Sequence, residues 1–248
     1  MIAPLIRVES LTRRYGDQLA VNGVSFAVAP GEIVGFLGPN GAGKSTVLRM
    51  LSSYLPPTAG TLEVAGHDVV REPLAVRQSI GCLTEHNALF DGMRVAAFLD
   101  FVGGVHGLTG ARLAERREWV VQRTELASVL KKRVAECSKG FRQRIGLAAA
   151  LIHDPPVLLL DEPTHGLDPL QVVAFRDFVR ELAPGRAILF SSHILAEVAE
   201  IATRLLVIQG GRICLDAPLG ELEQRATRDG INLESLVLDS VRKAEGAA

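Results

Sequence analysis

The chain has 248 residues, with 27 lysines and arginines against 28 aspartates and glutamates and a formal net charge of −1. That balance excludes the basic footprint of tight nucleic-acid binding, so no nucleic-acid partner is expected, and it leaves no acidic tail. The 48% hydrophobic share supports a substantial core, yet no apolar run approaches the roughly eighteen residues of a membrane span.

Met1 to Ser10 lack a basic region followed by an apolar stretch, so no secretion signal is expected. Cys82, Cys137 and Cys214 are odd in number, far apart and without metal-ligand spacing, which points to reduced, buried thiols in a cytoplasm. From Ile6 to Leu37 the pattern predicts short strands punctuated by turns, at Ile6 to Val8, Leu19 to Val21 and Val24 to Val28, then a Pro30-Gly31 break. Tyr15, followed by Gly16, either stacks its ring on an adenine base or packs on the surface.

The apolar run Ile33 to Leu37 feeds Gly38, Pro39, Asn40, Gly41, Ala42, Gly43, Lys44, Ser45 and Thr46, a phosphate-binding loop between a buried strand and a helix. Glycines let successive backbone N–H groups curl around an anion, and the helix opening at Lys44 adds its positive end. Lys44 reaches the β- and γ-phosphates, the Ser45 hydroxyl suits Mg2+, and Thr46 is placed for the α-phosphate. A dinucleotide fingerprint starting at Gly41 fails, because Thr46 stands where its last glycine belongs.

The helix is expected to end near Tyr54, before Pro56 and Pro57. A hairpin follows, Gly60 to Val64 and His67 to Val70 turning at Gly66, then a helix from Pro73 and a strand Ile80 to Leu83. From Arg94 to Glu136 strand signals give way to helical spacing, which reads as an inserted helical subdomain. Phe90, Met93, Phe98 and Phe101 there are either a docking surface or ordinary core, and His106 is assigned no role. Ser138 is a natural N-cap, and Gly140 in the first turn exposes backbone N–H groups; alone, this is an ordinary helix start.

Val157 to Leu160 is a short apolar strand ending in Asp161 and Glu162, at the sheet edge where open α/β folds place ligands. Asp161 can hold magnesium in its second shell, while Glu162 can orient and deprotonate an attacking water. Asp168 caps and Pro169 opens the next helix. The strand Arg186 to Phe190 ends in Ser191, Ser192 and His193, which should lie beside the phosphate site and contact the γ-phosphate or the water. A hairpin closes the sheet at Leu205 to Leu215, and Leu219 to Ala248 is helix-prone and too short for a domain.

In this order the parts resemble the ATP-binding subunit of an ABC transporter, from about Ile6 to Leu215. The resemblance places a Walker A loop at Gly38 to Thr46, a signature at Cys137 to Phe141, a Walker B strand at Val157 to Asp161 and a catalytic glutamate at Glu162. It also places a D-loop at Gly166 to Asp168, a switch histidine at His193 and an adenine-stacking aromatic at Tyr15. The expected fold is α/β: a P-loop NTPase core of mostly parallel sheet with helices, an N-terminal antiparallel β layer and an inserted helical subdomain. The ATP-binding domain is expected over 5–219, with the insertion at about 86–153 and a tail over 220–248.

The resemblance further implies a head-to-tail dimer with a second copy or a related subunit, Ser138 and Gly140 facing the γ-phosphate held by the partner. ATP and Mg2+ are the implied ligands, and a separate transmembrane permease is the implied membrane partner, holding the chain at the cytoplasmic face of the cell membrane. Glu85 stands where the family usually has glutamine, and its carboxylate can ligate the metal or position water. Lys139 and Phe141 replace a glycine and a glutamine, Cys137 a leucine, and His165 is unusual in the D-loop. The pattern looks most like bacterial exporter ATPases of sodium, drug and gliding-motility systems. A soluble relative acting on the ribosome is the alternative, but the second cassette, coiled coil or basic arm of such proteins is not seen.

Overall fold

The computed structural model describes residues 3–84, 89–164 and 167–246. Strands β1 (Ile6–Tyr15) and β2 (Gln18–Val28) form a long antiparallel hairpin. Spacing predicts shorter strands because Ser10 breaks the alternation. The chain absorbs the extra residue with Ser10 at φ 48° and register shifts, so Ile6, Val8 and Leu11 all face inward.

β3 (Ile33–Leu37) leads into α1 (Lys44–Leu51). This helix stops earlier than the expected Tyr54: Ser53 turns left-handed, and the Tyr54 and Leu55 amides both donate back to the Arg49 carbonyl. β4 (Ala59–Val64) and β5 (His67–Asp68) complete a four-stranded sheet in the order β2-β1-β4-β5. β5 falls short of Val70 because the Asp68 carboxylate accepts from the Val70 and Arg71 amides at 2.8 and 2.9 Å, curling the chain out of the strand.

α2 (Pro73–Ser79) opens on its proline and runs into β6 (Ile80–Leu83). Between β6 and β7 the chain is helical, with α3 (Val95–Val105), α4 (Gly110–Arg123) and α5 (Lys139–Leu151). Phe98 is only 3% exposed, so it belongs to the core rather than to a free surface, whereas Phe90 and Phe101 are 53% and 48% exposed and meet edge to face. His106, at the end of α3, stacks flat on His153 with ring centroids 3.6 Å apart, and His153 Nε2 lies 2.9 Å from the Ile80 carbonyl.

The remaining elements are β7 (Val157–Asp161), α6 (Pro169–Leu182), β8 (Ala187–Ser192), α7 (Leu195–Ile201), β9 (Arg204–Gln209), β10 (Arg212–Pro218), α8 (Leu219–Asp229) and α9 (Leu233–Gly246). The six-stranded sheet runs β10-β9-β3-β8-β7-β6, parallel except for β10. Its central strands are continuous apolar runs because both faces are covered. Val34, Phe36, Leu159, Leu189 and Leu206 pack with α1 and the antiparallel sheet, while Leu37, Leu158, Leu160, Ile188 and Leu205 pack on the helical side.

The tail is helical as expected, but it is not a detached appendage: Leu222, Ala226, Leu236 and Val237 are buried in the helical-side core. Of the three cysteines expected to be buried, only Cys137 is; Cys214 is half-buried, and Cys82, on the edge strand β6, is exposed. Among the described residues, no helix is long and apolar enough to cross a membrane.

Candidate functional site

β3, β8 and β7 are neighbours in the sheet, so the segments leaving their carboxyl ends converge. After β3 the chain turns through Gly38 to Gly43 into α1. Gly43 caps the helix at φ 111°, and a Cβ there would lie 2.7 Å from the Ala20 carbonyl oxygen, so the position demands glycine. The loop therefore offers backbone N–H groups at a helix start, the arrangement that binds phosphate.

Lys44 is only 6% exposed, and its ammonium needs partners. Nζ donates to the Gly38 carbonyl at 2.6 Å and the Pro39 carbonyl at 3.2 Å, and lies 3.9 Å from Glu162 Oε1. Ser45, next in α1, donates its hydroxyl to Asp161 Oδ1 at 3.3 Å.

Asp161 and Glu162 are both set by Ser191, which pairs with Asp161 across β7 and β8. The Ser191 hydroxyl donates to Asp161 Oδ1 at 2.5 Å and accepts from the Glu162 amide at 3.1 Å. Glu162 leaves the strand at φ 48°, a left-handed conformation that a side chain rarely adopts and that surrounding contacts must hold. Its side chain is 12% exposed, and both carboxylate oxygens lie 3.0 Å from His193 Nδ1. His193, expected to contact phosphate or water, thus rests on the neighbouring acid.

These groups border a cavity of about 760 Å³. Tyr15, Gln18 and Ala20 line it from the β1–β2 hairpin, Pro39 to Thr46 from the loop and α1, and Glu162, Thr164, His193 and Glu197 from the other side. Gly38 and Asp161 stand behind this lining, through the Lys44 and Ser45 contacts. One face of the Tyr15 ring carries the Arg13 guanidinium, 4.7 Å from the centroid.

Ser138 and Gly140 do not line the cavity. Ser138 caps α5, its hydroxyl accepting from the Phe141 amide at 3.4 Å, and is exposed. Gly140 packs so closely on Gln171 of α6 that a Cβ would meet its Oε1 at 2.8 Å. Glu85, His165 and Gly166 lie outside the described residues.

Ser191, Thr164 and Glu197 were not singled out from sequence. Ser191 had a signal, since the strand register puts it opposite Asp161. Glu197 is one glutamate among several on a short helix, and only the fold brings it to Thr164.

The model of the ABC transporter family matches residues 21–165. The chain is 42% identical over 229 residues to the daunorubicin resistance ATP-binding protein DrrA3 of Streptomyces coeruleorubidus, covering 92% of this chain and 72% of that protein. It is 37% identical over 234 residues to the ABC transporter ATP-binding protein NatA of Bacillus subtilis (strain 168), covering 92% and 95%. A solved ATP-binding subunit of an ABC transporter superposes with a TM-score of 0.87 at 28% identity, over 95% of this chain and 99% of that one. With an α/β P-loop NTPase fold and a nucleotide-sized cavity bordered by its phosphate loop, the chain belongs to the ABC transporter family, as an ATP-binding subunit with ATPase activity.

Proposed function

We propose that this subunit hydrolyses ATP with Glu162 as the base that orients and deprotonates the attacking water, and that it drives a separate membrane-spanning permease, an exporter. One observation carries the chemistry: Glu162 is held between Lys44 Nζ at 3.9 Å and His193 Nδ1 at 3.0 Å, at the edge of the cavity that Pro39 to Thr46 line. Lys44 exchanges its carbonyl partners for the β- and γ-phosphates, and the loop amides and Thr46 hold the rest of the triphosphate. His193 moves from Glu162 toward the γ-phosphate or the water when nucleotide enters. Tyr15 stacks adenine on the ring face opposite Arg13.

The Ser45 hydroxyl and the Asp161 carboxylate, oxygen donors 3.3 Å apart, fit magnesium, with Glu85 as a further ligand or a water-positioning group. When bound, Mg2+ neutralises charge on the β- and γ-phosphates. Ser138 and Gly140 lie outside the cavity of their own chain, which suits them to complete the site of a partner in a head-to-tail dimer. Residues 5–219 form the ATP-binding unit, with the helical subdomain inserted at about 86–153, and 220–248 form a short C-terminal tail packed against it.

Phe90 and Phe101, exposed and in contact with each other, offer the permease an apolar docking surface on the helical subdomain. The subunit then works on the cytoplasmic face of the membrane. The export direction is supported by a relative named as a Nod factor export ATP-binding protein, 38% identical over 208 residues. The test is Glu162→Gln: phosphate release should fall by about a hundredfold or more while ATP still binds, and ATP should drive the variant into a dimer by sedimentation. Wild-type turnover in that variant contradicts the assignment of the base.

A further inference from the structure

Two short segments leave the sheet side by side at the cavity: Glu162 to Thr164 after β7, and His193 and Ile194 after Ser192, the last residue of β8. One carries the acid and the other the imidazole. A single side chain from a third element, Glu197 in the first turn of α7, reaches both. Its Oε2 accepts from the Thr164 hydroxyl at 2.7 Å and from the Ser192 hydroxyl at 3.2 Å.

The direction of these bonds matters. Thr164 and Ser192 are both buried, so their hydroxyls need partners. A hydroxyl has one proton, and with that of Ser192 given to Glu197 its oxygen is left to accept from the Ile194 amide, at 3.0 Å. This fixes the backbone just after His193. On the other side, Thr164 accepts the Leu167 amide at 3.1 Å through its carbonyl, and the preceding Pro163 carbonyl accepts from Gln143 of α5 at 2.9 Å.

We infer that Glu197 is a positioning residue: it ties the segment after Glu162 to the segment that carries His193, so that acid and imidazole are placed as a unit. This rests on the proposal that Glu162 and His193 serve hydrolysis. Glu197 also lines the cavity, so the rival role is direct action of its charge on bound nucleotide. The two roles differ in what an amide can replace, because glutamine retains an oxygen that accepts from both hydroxyls but carries no charge.

The experiment compares Glu197→Gln, Glu197→Ala and Thr164→Val in the full chain, by steady-state ATP hydrolysis and by hydrogen exchange at the Leu167 and Ile194 amides. Glu197→Ala should lower kcat by about tenfold or more with KM for ATP changed less than about threefold, because misplacement of the reacting groups is a kcat effect. Both amides should exchange faster. Glu197→Gln should recover most of kcat and the slow exchange, and adding Thr164→Val to Glu197→Ala should cost little more than the worse single change. A glutamine variant as impaired as alanine, or an alanine variant with wild-type kcat and wild-type exchange, overturns the inference. Glu162→Gln is run alongside: if it still turns over, the assignment of the base fails, while the exchange data continue to decide the role of Glu197.

Discussion

His193 Nδ1 is equidistant from the two carboxylate oxygens of Glu162, at 3.0 Å from each, while Lys44 Nζ approaches one of them at 3.9 Å. Glu162 holds this place despite a left-handed backbone, φ 48°, because its amide is fixed by Ser191 and its carboxylate by His193. Removing the imidazole therefore frees the acid without touching the phosphate loop. His193→Ala should lower kcat by roughly a hundredfold, within the range for a positioned acid–base group, and leave KM for ATP within about threefold. Phosphate release across an ATP titration separates the two constants.

The stacked histidines give the helical subdomain a pH dependence of its own. Burial, reinforced by His106 and Arg116, pushes His153 from 6.5 down to about 4, and burial lowers His106 as well. The groups around His153 also include the Ile80 carbonyl and Asp154, which favour its proton but are outweighed. Between about pH 6.5 and 4 the unfolded chain binds more protons at these sites than the folded one, so their effect is to make stability rise with pH. Stability should be greatest above 6.5 and fall toward 4, with His153 contributing at most about 3 kcal/mol at 1.36 kcal/mol per pH unit. Urea unfolding at a series of pH values should show a shallower slope in His153→Gln.

The C-terminal helices are structural by the same measure. Leu222, Leu236 and Val237 are buried, each worth about 1.5–3 kcal/mol. Truncation after Leu219 should cost on the order of 5 kcal/mol and lower Tm by roughly 10–20 °C for a chain of this size. Thermal unfolding followed by circular dichroism measures it.

The parts of the fold legible in the sequence are those where one signal dominates. β3, β7 and β8 are apolar runs buried on both faces, and each ends where the composition turns polar, so Lys44, Asp161, Glu162 and His193 could be located from the run that precedes them. The length of β1 was hidden by the irregularity at Ser10, because a bulge breaks period-two spacing without ending the strand. Phe98 and Phe101 lie on one helix, and only the packed subdomain separates the buried ring from the exposed one. Glu197 was invisible for a similar reason: its two hydroxyl partners come from different strand ends, and nothing local marks them.

In the proposed dimer, one copy's phosphate loop and another copy's Ser138 helix close on the same ATP. Cysteine pairing across that contact reports whether it forms. Asn40→Cys and Lys139→Cys, both at exposed positions, are introduced together into Glu162→Gln after Cys82, Cys137 and Cys214 are replaced. With ATP and magnesium, oxidation should yield a covalent dimer that is absent without nucleotide. A chain that binds ATP yet stays monomeric and uncrosslinked at every protein concentration would contradict it.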